Sequence, residues 1–127
     1  MISSVEHAWY TRAPMIDAIF RLGEAVRYVA VYRHGQLEMR SRDGTAGASS
    51  PESDRYEELL VNPTLIKLAS QRGDIDCGGL ESLLVRYGNF YTYVLPTAWG
   101  HVSVGIESDA DAIGLGRQVA DVVRNES

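Results

Sequence analysis

The chain has 127 residues, 45% hydrophobic and 23% charged, which is enough for one domain with one core and too apolar for a disordered segment. A formal net charge of −5 works against general nucleic-acid binding, which needs a basic footprint. The single cysteine, Cys77, makes no intrachain disulfide and no zinc knuckle.

In chain order, residues 1–11 read as a tail and the first helix as running from about Ala13 to Glu24. Met15, Ile16, Ile19 and Leu22 share one face, and Asp17, Arg21 and Glu24 lie opposite. Arg27 to Arg33 predicts a strand, His34-Gly35 a hairpin turn, and Gln36 to Arg42 a second strand. Leu37 and Met39 alternate with Glu38 and Arg40, so this second strand has one wet face and belongs at an edge. Asp43 to Ser50 is small and polar and reads as a mobile loop.

Ser50-Pro51-Glu52 marks a helix start, with Ser as cap and Pro in the first turn. Tyr56, Leu59 and Leu60 give that helix an apolar stripe, and Leu65, Ile66, Leu68 and Ala69 continue it. Asn62-Pro63 predicts a kink or restart between the two stretches. Gly73 predicts the stop. A meander follows: strand Leu80 to Tyr87, turn Gly88-Asn89, strand Phe90 to Pro96, turn Thr97 to Gly100, strand His101 to Glu107. Leu83-Leu84-Val85 is apolar on both faces, which predicts cover on both sides. Ser108 or Asp109 caps a last helix to about Arg124, packing through Ile113, Val119, Ala120 and Val123. Gly114 and Gly116 weaken it by about 1 kcal/mol each relative to Ala unless close packing compensates.

The element order is therefore α-β-β-α-β-β-β-α in one domain spanning residues 1–127. This is an α+β class: a five-stranded antiparallel sheet with the middle helix on one face and the two terminal helices on the other. The start Met1-Ile2-Ser3-Ser4-Val5-Glu6-His7 lacks the basic stretch and apolar run of a signal peptide. No apolar run approaches the roughly 18 residues that span a bilayer. The expectation is a cytoplasmic protein that binds neither membrane nor nucleic acid.

Candidate chemistry is sparse. Cys77 is the first candidate, as a nucleophile or redox sensor with His101 as base. It follows a helix C-terminus, where the dipole and the neighbouring Asp74 and Asp76 oppose a thiolate, with Arg72 alone on the other side. His7, His34 and His101 show no H-x-x-H or H-x-H spacing, so no metal is expected, and they read as surface or turn residues. Arg72-Gly73-Asp74 spells an adhesion tripeptide, which a last helical turn and a glycine stop explain without a receptor. Gly78-Gly79 and Gly114-x-Gly116 lack the lysine and spacing of a phosphate loop. Gly78-Gly79 reads instead as an unusual turn into a strand. Tyr87, Phe90, Tyr91 and Tyr93 with Arg86 have the residue types that stack on single-stranded nucleic acid, though core and interface packing accounts for them better. Trp99, in a turn beside Gly100, is either an exposed anchor for a partner or a ring folded back on the core.

The element order from Met15 to Val123 resembles the roadblock / dynein light chain family. The stretch from Gly79 to Pro96 followed by Gly100 to Ile106 carries the similarity: an apolar strand, a strand closing on proline, a glycine turn and a third apolar strand. The resemblance implies a non-enzymatic module without cofactor. Such a module forms homodimers and regulates or scaffolds small Ras-like GTPases or motor complexes. Dimers of that family pair the middle helices and the strand after them, here Tyr56 to Arg72 and Leu80 to Tyr87. The implied interface residues are Tyr56, Leu59, Leu60, Leu65, Ile66, Leu83, Leu84 and Val85. Profilin-like sensor domains share the element order, which leaves open a small-ligand domain closed by the loop from Asp43 to Ser50. A thiol-dependent enzyme or redox sensor using Cys77 is the third reading.

Overall fold

β-branched and aromatic residues recur at every second position between glycine-bearing turns, and those runs form the strands. The structure, a computed structural model, describes residues 14–42 and 49–126. The strands are β1 (Val26–Arg33), β2 (Gln36–Ser41), β3 (Leu83–Arg86), β4 (Phe90–Thr97) and β5 (Gly100–Glu107). They form one antiparallel sheet in the order β2-β1-β5-β4-β3. β2 lies at one edge, as its wet face predicts, and β3 at the other. The β1–β2 turn places His34 at φ 51° and Gly35 at φ 82°. Both are left-handed, the geometry that a two-residue hairpin needs to match strand twist.

The helices are α1 (described over residues 14–20), α2 (Pro51–Tyr56), α3 (Asn62–Asp76) and α4 (Ala112–Glu126). α1 and α4 cover one face of the sheet. There Met15, Ile16 and Ile19 meet Val29, Val31, Val102, Val104 and Ile106, together with Val119, Ala120 and Val123. Each Val, Ile or Met among them contributes about 1.5–3 kcal/mol on full burial, so this face is the main core. The opposite face carries a smaller apolar cluster of Tyr28, Ala30 and Phe90, edged by Leu37 and Met39. Beside it on the same face lie buried Thr92, His101 and Ser103.

α2 and α3 are one continuous rod joined by a π-helical turn, Glu57–Val61. Ser50 caps its start: its hydroxyl accepts from the Ser53 N–H at 3.1 Å, and the Ser53 side chain returns a bond to the Ser50 backbone. The interruption expected at Asn62-Pro63 is spread into the π turn, where the Asn62 N–H reaches back five residues to the Glu57 carbonyl. Proline supplies no N–H to the turn before it. A stretch already off the α-helical bonding pattern accommodates that loss.

Several boundaries differ from expectation. α1 gives way to a turn after residue 20, because Arg42 reaches across and ends it. The Arg42 guanidinium donates to the carbonyls of Phe20 at 3.0 Å and Gly23 at 2.8 Å, satisfying groups that a longer helix would have bonded internally. Gly73 does not stop α3, which continues to Asp76. Gly73 is buried instead, and a Cβ there would meet the Gly79 backbone carbon at 3.0 Å. The true exit is the Gly78-Gly79 turn, with φ of 82° and 89°. It folds the chain back so that the Gly79 N–H bonds the Gly73 carbonyl at 3.1 Å.

β3 is four residues long, not eight. It is covered on one side only: Leu83 and Val85 are half-buried, while Leu84 is exposed. α4 begins three residues after the turn that was expected to cap it. Asp111 is the capping side chain, its Oδ1 accepting from the Gly114 N–H at 3.0 Å. Ile113 is exposed rather than part of the packing stripe, and Ala112 and Gly116 are buried in that helix. A Cβ at Gly116 would lie 2.8 Å from the Tyr93 ring, so this glycine lets α4 approach the sheet closely. The tail, residues 1–11, and most of the 43–50 loop lie outside the described residues.

Candidate functional site

Two consecutive acids in the π turn, Glu57 and Glu58, both point into the protein. Glu58 is fully buried and Glu57 nearly so. In a regular α-helix, neighbours diverge by about 100°; the wider turn directs both toward the sheet. Tyr28, on β1, donates its hydroxyl to Glu57 Oε1 at 3.0 Å and also approaches Glu58 Oε2 at 3.4 Å. Tyr87 donates to the other Glu57 oxygen at 2.6 Å. Glu58 Oε1 accepts from the Asn62 side-chain amide at 3.0 Å and lies 2.8 Å from His101 Nε2. His101 is buried on β5, stacked on Tyr32 with ring centroids 5.4 Å apart. The expectation of a turn or surface histidine is therefore corrected at His101. Gly105 makes the arrangement fit, since a Cβ there would stand 2.5 Å from the Tyr28 ring.

The electrostatics follow from burial. Loss of solvent pushes the Glu57 carboxyl above its usual range, against the two tyrosine hydrogen bonds and with help from Glu58 and Asp54. Burial, then the nearby Glu58 and Glu57 charges, raises the Tyr28 hydroxyl strongly. Tyr87 is pushed up to about 12, by burial first and Glu57 next. Both Glu57 oxygens are occupied by protein donors, and Glu58 is shared among three side chains. The cluster ties the middle helix to strands β1 and β5 and to Tyr87.

The outer face of the same helix is apolar. Tyr56, Leu60, Leu68 and Ile75 are 59%, 55%, 60% and 76% exposed. Asn62 and Gly73 are the only buried residues of α3. Of the residues that the resemblance implies for an interface, Tyr56 and Leu60 lie on this face, and Leu59, Leu65 and Ile66 are half-buried. Leu83 and Val85 pair with Val94 and Thr92 on the edge strand. Leu84 pairs with Tyr93 and lines a cleft of about 410 Å³ against α4 with Ile113 and Arg117. The structure thus separates Leu84 from the middle-helix face and adds Leu68 and Ile75. A helical reading extended beyond Gly73 would have found Ile75.

The remaining candidates scatter. Cys77 is exposed, its thiol 3.4 Å from Asp76 Oδ1, whereas His101 is engaged with Glu58. Arg72 is helical and ion-paired with Asp76 at 2.6 Å, which holds the Asp76 carboxyl below its usual value. Trp99 is half-buried against the main core, with the Arg33 guanidinium 4.1 Å over its ring. Its open side lines a cleft of about 460 Å³ with Leu95, Pro96 and Val123. Phe90 and Tyr93 are buried in different clusters, and Arg86 stacks on Tyr91 at 4.9 Å. Among the described residues there is no group of three or more His, Cys, Asp or Glu placed to hold a metal. Nor is any helix among them long and apolar enough to cross a membrane.

No family model and no curated protein matches the sequence. Solved structures match its shape. A Roadblock/LC7 domain from Streptomyces avermitilis superposes with a TM-score of 0.67 at 16% identity, covering 87% of this chain and 90% of that one. The gliding protein MglB from Thermus thermophilus gives a TM-score of 0.65 at 10% identity, over 99% and 93%. A structure of MglB with a tetrameric arrangement gives 0.63 at 9% identity, over 100% and 96%. With the element order, the five-stranded sheet and the distribution of helices already in place, the chain has the roadblock fold.

Proposed function

We propose that this chain is a non-enzymatic regulatory or scaffolding module that works as a homodimer and engages a protein partner. The observation that carries the reading is the apolar stripe Tyr56, Leu60, Leu68 and Ile75, four large side chains more than half exposed on one helix. Exposed apolar surface gathered in this way marks an interaction site on a soluble protein. The stripe runs on the helix that the roadblock resemblance pairs across a dimer, and β3 leaves a sheet edge open. The tetrameric arrangement of MglB is a precedent for self-association on this fold.

Light scattering behind size-exclusion chromatography tests the dimer. The wild type should elute as a dimer at micromolar concentration. Leu68→Glu should elute as a monomer with an unchanged circular dichroism spectrum, since Leu68 is not part of the core. A wild type that stays monomeric at high micromolar concentration removes the reading. Small Ras-like GTPases are the partner class that the resemblance supplies. Co-elution with one, dependent on its bound nucleotide, supports that assignment, and failure to co-elute in either nucleotide state removes it and leaves the dimer standing.

A further inference from the structure

The dimer reading fixes no register between the two helices. Tyr56, Leu60, Thr64, Leu68 and Arg72 are spaced four apart, and all are exposed. This series is symmetric about Thr64. A two-fold dimer is self-complementary, and a two-fold axis perpendicular to the helix sets the two copies of it antiparallel. An axis at Thr64 sets Leu60 against the partner's Leu68, and Tyr56 against the partner's Arg72.

The ends of the stripe are chemically matched. Next to Tyr56 a cleft of about 420 Å³ opens between α2 and the β3–β4 turn, lined by Asp54, Glu57, Tyr87 and Phe90 among others, with no lysine or arginine among the described residues of its wall. The half-buried Asp54 carboxylate and the rings of Tyr56, Tyr87 and Phe90 make a site for a guanidinium, by charge and by cation–π attraction. At the other end Arg72 projects from α3 with its side chain 64% exposed, held by Asp76 in an i,i+4 pair. Exposed pairs of this kind contribute little, so Arg72 is available to a stronger acceptor.

We propose that the acidic, aromatic cleft at Asp54, Tyr56 and Glu57 receives Arg72 of the second copy, and that this contact, made twice, sets the register of the dimer. The inference rests on the dimer reading above and adds the contact that determines how the two copies align.

Charge exchange tests it. Sedimentation velocity on full-length Arg72→Glu and on Asp54→Arg should show each homodimer weakened by about tenfold or more, the scale of lost charge contacts at an interface. Circular dichroism should show helix retained, since neither position is buried. Mixing the two variants should restore dimers, because the mixed pair holds one native contact and one reversed contact. A stable wild-type dimer that Arg72→Glu leaves unweakened overturns this register alone. So does a mixture no tighter than the separate variants. A monomeric wild type overturns the dimer reading and the register with it.

Discussion

Glu57 and Glu58 show how little a residue's type says about its place. Two adjacent acids in a helical stretch read as solvent-facing, and only the π turn brings both inward. Part of the signal was present. Along β5, His101, Ser103 and Gly105 alternate with Val102, Val104 and Ile106, so one face of this central strand is polar or small while the other is wholly apolar. A central strand with a polar face needs a polar partner above it, and the Glu-Glu-x-x-x-Asn run was the available candidate. Glu57 also carries a pH signature. Its carboxyl titrates higher when folded than when unfolded, so its favourable contribution is complete below the ordinary carboxylate range and is lost as pH rises through the raised value. Glu57→Gln cannot ionise and keeps an acceptor for a tyrosine. Its stability relative to wild type should therefore improve as pH rises from the carboxylate range toward neutrality, as measured by urea unfolding at several pH values. A difference that is flat with pH would show that Glu57 does not change its protonation on folding.

At the scale of elements, strands were more legible than helix ends. Turn residues and alternation place every strand of the sheet, because period and punctuation are local. The ends that moved were set by contacts that period does not encode: Arg42 on the carbonyls of Phe20 and Gly23, far off in sequence, and the Gly79 backbone folded back onto Gly73. β3 reads long because Leu80 to Tyr87 is rich in apolar residues, yet only Leu83 to Arg86 meets β4. Gly105 offers a direct test of how tightly the middle helix is tied down. A methyl group there would sit 2.5 Å from the Tyr28 ring and displace the hydroxyl that bridges the two glutamates. Gly105→Ala should cost about 1–3 kcal/mol, the usual range for overpacking, read from denaturant midpoints. Its effect should shrink in a Tyr28→Phe background, where the bridging hydroxyl is already absent.

For the whole molecule, the sheet presents two unlike sides. One is closed by two helices over a continuous apolar core, and the other by a single helix held through polar contacts with its own apolar face outward. This asymmetry bears on Leu84, which the resemblance groups with the interface but which faces the α4 side. Leu84→Glu should therefore weaken the dimer less than Leu68→Glu in the same chromatographic measurement; an equal loss would place the edge strand, rather than the helix face, at the centre of the contact. The π turn connects these two demands. It takes up one extra residue, so five residues there sweep about the rotation that four sweep in a regular α-helix. Removing one residue from Glu57–Val61 would restore regular α-helical bonding and leave Leu68, Arg72 and Ile75 on their outward face, while the two inward acids lose the turn that lets them point the same way. The extra residue thus serves the inner face alone: its loss loosens the grip of the helix on the sheet before it alters the surface the protein presents.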